Sequence, residues 1–127
     1  MDRAPFHAFL QPEPVSIDAA NGLVEIRVAS RPEFRRAYDV EDWHGGLIAA
    51  IIDICGHAAV AVNTGRVSPT IDLRIDYIAA ARGDLKAIGR AIRIGRSIGR
   101  ADVEVRDGSG RLIATGRGAF STLNAVV

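Results

Sequence analysis

The stretch HGGLIAAIIDICGHAAVAVN, residues 44–63, decides the architecture of this chain. Its length and alanine content favour a helix over a strand despite four isoleucines. It is apolar nearly all round, which predicts a helix buried in a core and not one lying on a surface. Asn63-Thr64-Gly65 supplies the stop. A membrane span is not expected: the apolar run from Leu47 to Val62 is broken by Asp53 and His57 and falls short of the ~20 residues a bilayer requires.

The flanking sequence alternates as strands do. In residues 22–29, GLVEIRVA, Val24, Ile26 and Val28 stand opposite Glu25 and Arg27, which reads as a half-buried strand. In 70–78, TIDLRIDYI, Ile71, Leu73, Ile75 and Tyr77 share one face and Asp72, Arg74 and Asp76 the other. Strands over 84–96 and 99–107 follow, and Asp107-Gly108-Ser109-Gly110 marks a hairpin into 111–121. Ala87, Gly89, Ala91, Ala114, Gly116 and Gly118 let something thick lie close against the sheet, and the 44–63 helix is the one thick apolar object available. The expected class is α+β, a curved, mainly antiparallel sheet of about five strands wrapped around one long central helix. A single domain is expected over 1–127: residues 1–21, spaced by Pro5, Pro12 and Pro14, form a helical turn and a loop, 22–121 the core and 122–127 a tail.

The 127 residues are 48% hydrophobic and 24% charged, the balance of a soluble globular domain and not of a disordered tail. The opening MDRAPFHAFLQPEP lacks the apolar core and cleavage site of a signal peptide, so a cytoplasmic location is expected. The lone Cys55 excludes a disulfide framework and a Cys-based zinc site. A net charge of +1 gives the whole molecule no nucleic-acid electrostatics. The distribution is uneven: residues 82–117 carry nine bases and four acids, whereas 1–81 carry seven bases and eleven acids. The basic third either meets the phosphates of a ligand or lays its charges on a solvated sheet face.

Asp53 stands among Ile51, Ile52, Ile54 and Cys55. A carboxylate in such company is hydrogen-bonded, protonated or set at a cavity, because burying an unpaired charge is costly. Position alone leaves a structural and a catalytic role equal. His44-Gly45-Gly46 opens the helix, where backbone N–H groups lack intrahelical partners at the positive end of the dipole. Two glycines let a ligand atom approach those groups, which is the equipment that stabilises a developing oxyanion. Gly45 and Asp53 are eight residues apart, ~12 Å along a helix, so one reacting carbonyl cannot touch both within one chain. If both act on one carbonyl, they come from two subunits with antiparallel helices, and a two-fold dimer would hold two such composite sites. His57 follows Asp53 by one turn, but no third metal ligand is evident, and a core histidine is the expectation. Cys55 has no neighbouring base and reads as a buried, inert thiol. Phe34, Tyr38 and Trp43 are core, interface or pocket-lining groups.

The segments W-H-G-G-L-I-A-A-I-I-D (43–53), S-P-T-I-D-L-R-I-D-Y-I (68–78), G-D-L-K-A (83–87), G-R-S (95–97) and G-R-L-I-A-T-G-R-G-A-F (110–120) together resemble the hotdog-fold acyl-CoA thioesterases of the phenylacetic-acid-degradation type. The resemblance covers residues 22–121. It implies dimers joined edge to edge through their sheets, often paired again into tetramers, and hydrolysis of an acyl-CoA at the dimer interface. No metal and no cofactor is implied beyond the coenzyme A of the substrate, and no nucleic-acid or membrane partner. Carried onto this chain, the Gly45 N–H would bind the thioester carbonyl oxygen, Asp53 of the partner subunit would activate water or attack directly, and Thr70 would position the water. His44, Gly46 and Tyr38 would border the substrate. Tyr38 stands where relatives often carry an Asn that makes a second contact with the thioester. Gly95, Arg96 and Ser97 would meet the coenzyme A moiety. The competing reading is a non-catalytic acyl-CoA-binding module on the same fold, against which Asp53 and Thr70 together argue. A hydratase fits less well, since no second His/Asp or His/Glu pair is placed to serve adjacent carbons.

Overall fold

The long helix, α2, runs from Gly45 to Thr64 in the computed structural model, which describes residues 4–65 and 69–123. His44 caps its start: the imidazole Nδ1 accepts the Gly46 N–H at 2.9 Å. Gly65 ends it in the left-handed region (φ +68°) and donates its N–H to the Ala61 carbonyl at 2.7 Å. One stripe, comprising Ile48, Ile51, Ile52, Cys55, Gly56, Ala59 and Val60, is buried at the helical period. On the other side Leu47, Ile54, Ala58 and Val62 are only partly buried, so within one chain the expected burial all round holds for one side alone. At 20 residues and a mean hydropathy of 1.9, α2 has the length and composition of a membrane span, beyond the shorter run counted in the sequence. Its buried stripe is committed to the sheet instead.

A short helix, Pro5–Leu10 (α1), and a strand, Glu13–Asp18 (β1), precede Leu23–Val28 (β2). After α2 come Thr70–Tyr77 (β3), Leu85–Ile94 (β4), Ile98–Asp107 (β5) and Leu112–Ser121 (β6). All pair antiparallel in one six-stranded sheet of order β1-β2-β4-β5-β6-β3. The expected N-terminal turn is α1, but the expected loop after it is a sixth strand. β1 escaped the alternation pattern because it is an edge. All six of its residues are exposed, so neither face must be apolar, and Pro14 sits beside a register shift where its missing N–H disturbs the ladder least. Ser68 of the S-P-T segment and residues 124–127 of the expected tail lie outside the described residues.

α2 packs across one face of the curved sheet against Val24, Ile26, Ala87, Val103, Ala114 and Phe120. The small residues make this close approach possible. A Cβ added at Gly89 would stand 2.8 Å from the Cys55 carbonyl oxygen, and one at Gly116 would stand 2.5 Å from Ile52 Cγ2. The opposite face carries the charges. Arg117 pairs with Asp102 at 2.7 Å, Arg106 with Glu104 at 3.1 Å and Arg74 with Asp76 at 3.6 Å. Arg106 and Arg117 of the basic third thus lie ion-paired on a solvated sheet face.

Candidate active site

The first turn of α2 uses up all but one of its amides. Gly46 donates to the His44 imidazole, and Leu47 and Ile48 donate to the His44 carbonyl at 3.0 and 3.4 Å. The Gly45 N–H alone has no partner among the described residues. Gly45 lines a cleft of about 380 Å³ whose other walls are Trp43, Ile48, Tyr77, Ile78 and Ala79–Ala81, with Arg36 and Asp42 as its charged members. Tyr77 closes the β3 side: its hydroxyl donates to the Gly45 carbonyl at 2.7 Å, and its ring lies 3.4 Å from where a Cβ on residue 45 would sit. Nothing in the sequence marked this contact, because Tyr77 reads there only as one apolar-face position of the alternating strand 70–78.

Trp43 is 3% exposed, anchors its indole N–H on the Gly83 carbonyl at 2.8 Å and packs its ring 5.1 Å from that of buried Phe34. Both are core groups, and only Trp43 reaches the cleft. Tyr38, 99% exposed, is not part of the cleft wall. Asp42, 9% exposed, accepts from Arg82 Nε at 2.7 Å and from Arg36 Nη2 at 3.2 Å. Those two guanidiniums, Arg82 foremost, hold its carboxyl below the usual carboxylate range. This pairing of residues 36, 42 and 82 ties two loops together beside the cleft and was also invisible to the sequence reading.

Asp53 is half-buried, and Thr70 Oγ1 donates to its Oδ1 at 2.6 Å. The second oxygen has no partner among the described residues. Neither residue lines the Gly45 cleft. Eight residues of α2, ~12 Å, separate Asp53 from Gly45, so the structure brings Asp53 to Thr70 and Gly45 to His44, Gly46 and Tyr77 but does not bring the two groups together. β3 runs antiparallel to α2 and touches both, Thr70 at one end and Tyr77 at the other.

Gly95, Arg96 and Ser97 form the β4–β5 turn, where Thr122 bonds to the Gly95 carbonyl at 2.8 Å and to the Ser97 carbonyl at 2.9 Å. This turn borders the C-terminal half of α2, since a Cβ on Gly99 would stand 2.7 Å from Val60. It is thus far from Gly45 of its own chain, and the side chains of Arg96 and Ser97 are exposed. His57 packs edge-on against Phe120 with ring centroids 5.7 Å apart. Burial pushes the Cys55 thiol up to about 12.

A sequence profile of the thioesterase superfamily matches residues 41–114, from just before the His44-Gly45-Gly46 segment into β6. The chain belongs to the thioesterase superfamily. A Halobacterium salinarum protein provisionally named an esterase is 33% identical to it over 116 residues, covering 81% of this chain and 76% of that one. A Bordetella protein of the thioesterase superfamily has a solved structure that superimposes with a TM-score of 0.89 at 30% identity, over 94% of this chain and 90% of that one. PaaI of E. coli, from the phenylacetic acid degradation operon, superimposes with a TM-score of 0.86 over 98% and 88% of the two chains. At 16% identity it shares the fold alone. This thioesterase-superfamily chain accordingly has the hotdog fold, and hydrolysis of thioesters is the general chemistry its membership supports.

Proposed function

We propose that the chain hydrolyses acyl-CoA thioesters to the free acid and coenzyme A, at sites shared between the two subunits of a dimer. The observation that carries this reading is the division of groups along α2. An unpaired N–H lies at its start and a Thr70-bonded carboxylate ~12 Å further on, too far apart for one carbonyl of one chain. A second copy would supply the missing half. Two surfaces favour such a copy: the partly buried side of α2, and β3, which ends the sheet and leaves Ile71 and Tyr77 exposed. Dimers of this kind can pair again into tetramers.

In this reading the thioester carbonyl oxygen accepts from the Gly45 N–H. Attack at the carbonyl carbon moves charge onto that oxygen, where the amide and the helix dipole stabilise it. Asp53 of the partner subunit either takes a proton from the attacking water or adds to the carbonyl itself. Thr70 occupies one carboxylate oxygen and leaves the other for this work. The C–S bond breaks as the tetrahedral intermediate collapses, and the thiolate of coenzyme A leaves and takes up a proton; where Asp53 itself has added, water then cleaves the resulting anhydride, which frees the acid and restores the carboxylate. His44 and Gly46 hold the start of α2 on which the Gly45 amide stands, and the turn of Gly95, Arg96 and Ser97 meets the coenzyme A phosphates. The reaction draws on no cofactor beyond the coenzyme A of its substrate.

The test is thiol release from a panel of aryl- and fatty-acyl-CoAs, comparing wild type with Asp53→Ala. Loss of the carboxylate should lower turnover by about 10²–10⁴-fold with folding and oligomer size unchanged. Wild-type protein that binds acyl-CoA without turning it over would instead be a binding module. Mixed dimers of Gly45→Val and Asp53→Ala chains should recover one working site in two. Heterodimers that stay inactive while both homodimers remain folded would refute the shared site.

A further inference from the structure

We propose that Tyr77 is a positioning residue for this reaction, acting through the Gly45–Gly46 peptide unit that it and His44 clamp from opposite sides; the inference rests on the hydrolytic reading above. The Tyr77 hydroxyl donates to the carbonyl of that unit at 2.7 Å, and the N–H of the same unit donates to His44 Nδ1 at 2.9 Å. Phenol, peptide and imidazole thus form one continuous chain of hydrogen bonds, in which each bond polarises the next.

The clamp acts where the backbone most needs it. Two successive glycines leave the first turn of α2 with more conformational freedom than any other pair of residues would. A peptide plane held at both its oxygen and its nitrogen cannot rotate freely. The plane before it, which carries the unpaired Gly45 N–H, shares the Gly45 Cα and is restricted with it. That N–H stabilises charge only if it already lies where the oxygen will be, since reorganisation during the reaction forfeits the benefit.

Burial alone does not account for a tyrosine here, because Tyr77 is 55% exposed at the end of an edge strand. A phenylalanine would supply the same cleft wall, 3.4 Å from the position of a residue-45 Cβ, but not the bond to the carbonyl. The hydroxyl is the part that reaches the Gly45 backbone.

Tyr77→Phe removes only that hydroxyl. Turnover of the preferred acyl-CoA should fall about 3- to 10-fold, the weight of one hydrogen bond, with KM within about twofold of wild type. The Gly46 amide should exchange its hydrogen several-fold faster by NMR. A residue that merely stabilised the fold would lower the melting temperature without separating kcat from KM. Wild-type turnover left intact in Tyr77→Phe, or Gly46 exchange unchanged, would overturn the clamp while leaving hydrolysis standing. Absence of turnover in the wild type would overturn the hydrolytic reading itself, and the positioning role with it. Should Tyr77→Phe fail to fold, Tyr77→Leu, which keeps an apolar wall and likewise has no donor for the Gly45 carbonyl, gives the same comparison.

Discussion

Replacing Gly89 with alanine should both destabilise this chain and loosen its carboxylate site. Gly89 faces α2 from β4, and an added Cβ would stand 2.8 Å from the Cys55 carbonyl oxygen, 3.0 Å from its Sγ and 3.2 Å from its carbonyl carbon. Unstrained carbon contacts lie at about 3.5–4.0 Å, so the helix and the strand must separate by some tenths of an ångström. Two of the three atoms are backbone, and no change of rotamer removes them. Overpacking of this kind costs about 1–3 kcal/mol, offset by about 0.4–1 kcal/mol from the smaller unfolded-state entropy of alanine. A net loss near 1–2 kcal/mol corresponds to about 4–8 °C in melting temperature for a chain of this size. Asp53 lies two residues before Cys55, so the same displacement stretches its 2.6 Å bond to Thr70, and thioester turnover should decline as well. Thermal melts of Gly89→Ala and Gly108→Ala make the comparison, because a Cβ at Gly108 meets nothing within 4 Å. Gly108→Ala should match or slightly exceed the wild type. Gly89→Ala melting together with the wild type would refute the argument that this glycine sets the distance between helix and sheet.

Gly45→Ala should keep its stability, since the new Cβ meets the Tyr77 ring at an ordinary 3.4–3.5 Å and alanine is the better helix former, yet lose thioester turnover; a drop in melting temperature would show a folding defect instead. Cys55, with its thiol pushed up to about 12, should resist alkylation at pH 8 in the folded protein and react promptly in denaturant; labelling at equal rates would contradict its burial. Asp42 has its folded-state pKa depressed by Arg82 and Arg36, so its contribution to stability is present above the ordinary carboxylate value of ~3.9 and is lost as pH falls through the folded value. Urea midpoints measured from neutral to acid pH should therefore fall less steeply below about pH 4 in Asp42→Asn than in wild type, and an identical decline in both would argue against this linkage.

Most of the fold was legible because burial imposes a period. Residues 44–63 named α2 to within a residue, and the five strands with one apolar face were found within two residues of their ends. β1 was missed for the same reason in reverse: an edge strand exposed on every residue carries no pattern. The separation of Gly45 from Asp53 was also legible, since helix rise alone fixes it. What periodicity could not supply was pairing across long stretches of chain. The bonds from Tyr77 to Gly45, 32 residues away, and from Arg82 to Asp42, 40 residues away, depend on how loops meet after the sheet has formed. Thr70 had no claim from spacing either and entered only through resemblance; its bond to Asp53 joins an exposed strand end to a half-buried helix position.

The placement of β3 gives the proposed dimer a physical logic. An edge strand exposes a row of unpaired backbone groups, which proteins usually cover or blunt. Here the edge strand holds Asp53 through Thr70 and the start of α2 through Tyr77. If two copies join antiparallel along β3 in a centred register, Thr70 of each falls opposite Tyr77 of the other, because antiparallel pairing matches the start of one strand to the end of its neighbour. The Asp53–Thr70 pair of one copy is then brought toward the Gly45–Tyr77 end of the other. Covering the exposed edge and completing the site become a single event, so a chain unable to pair along β3 would keep every residue of its machinery and still lack a working site.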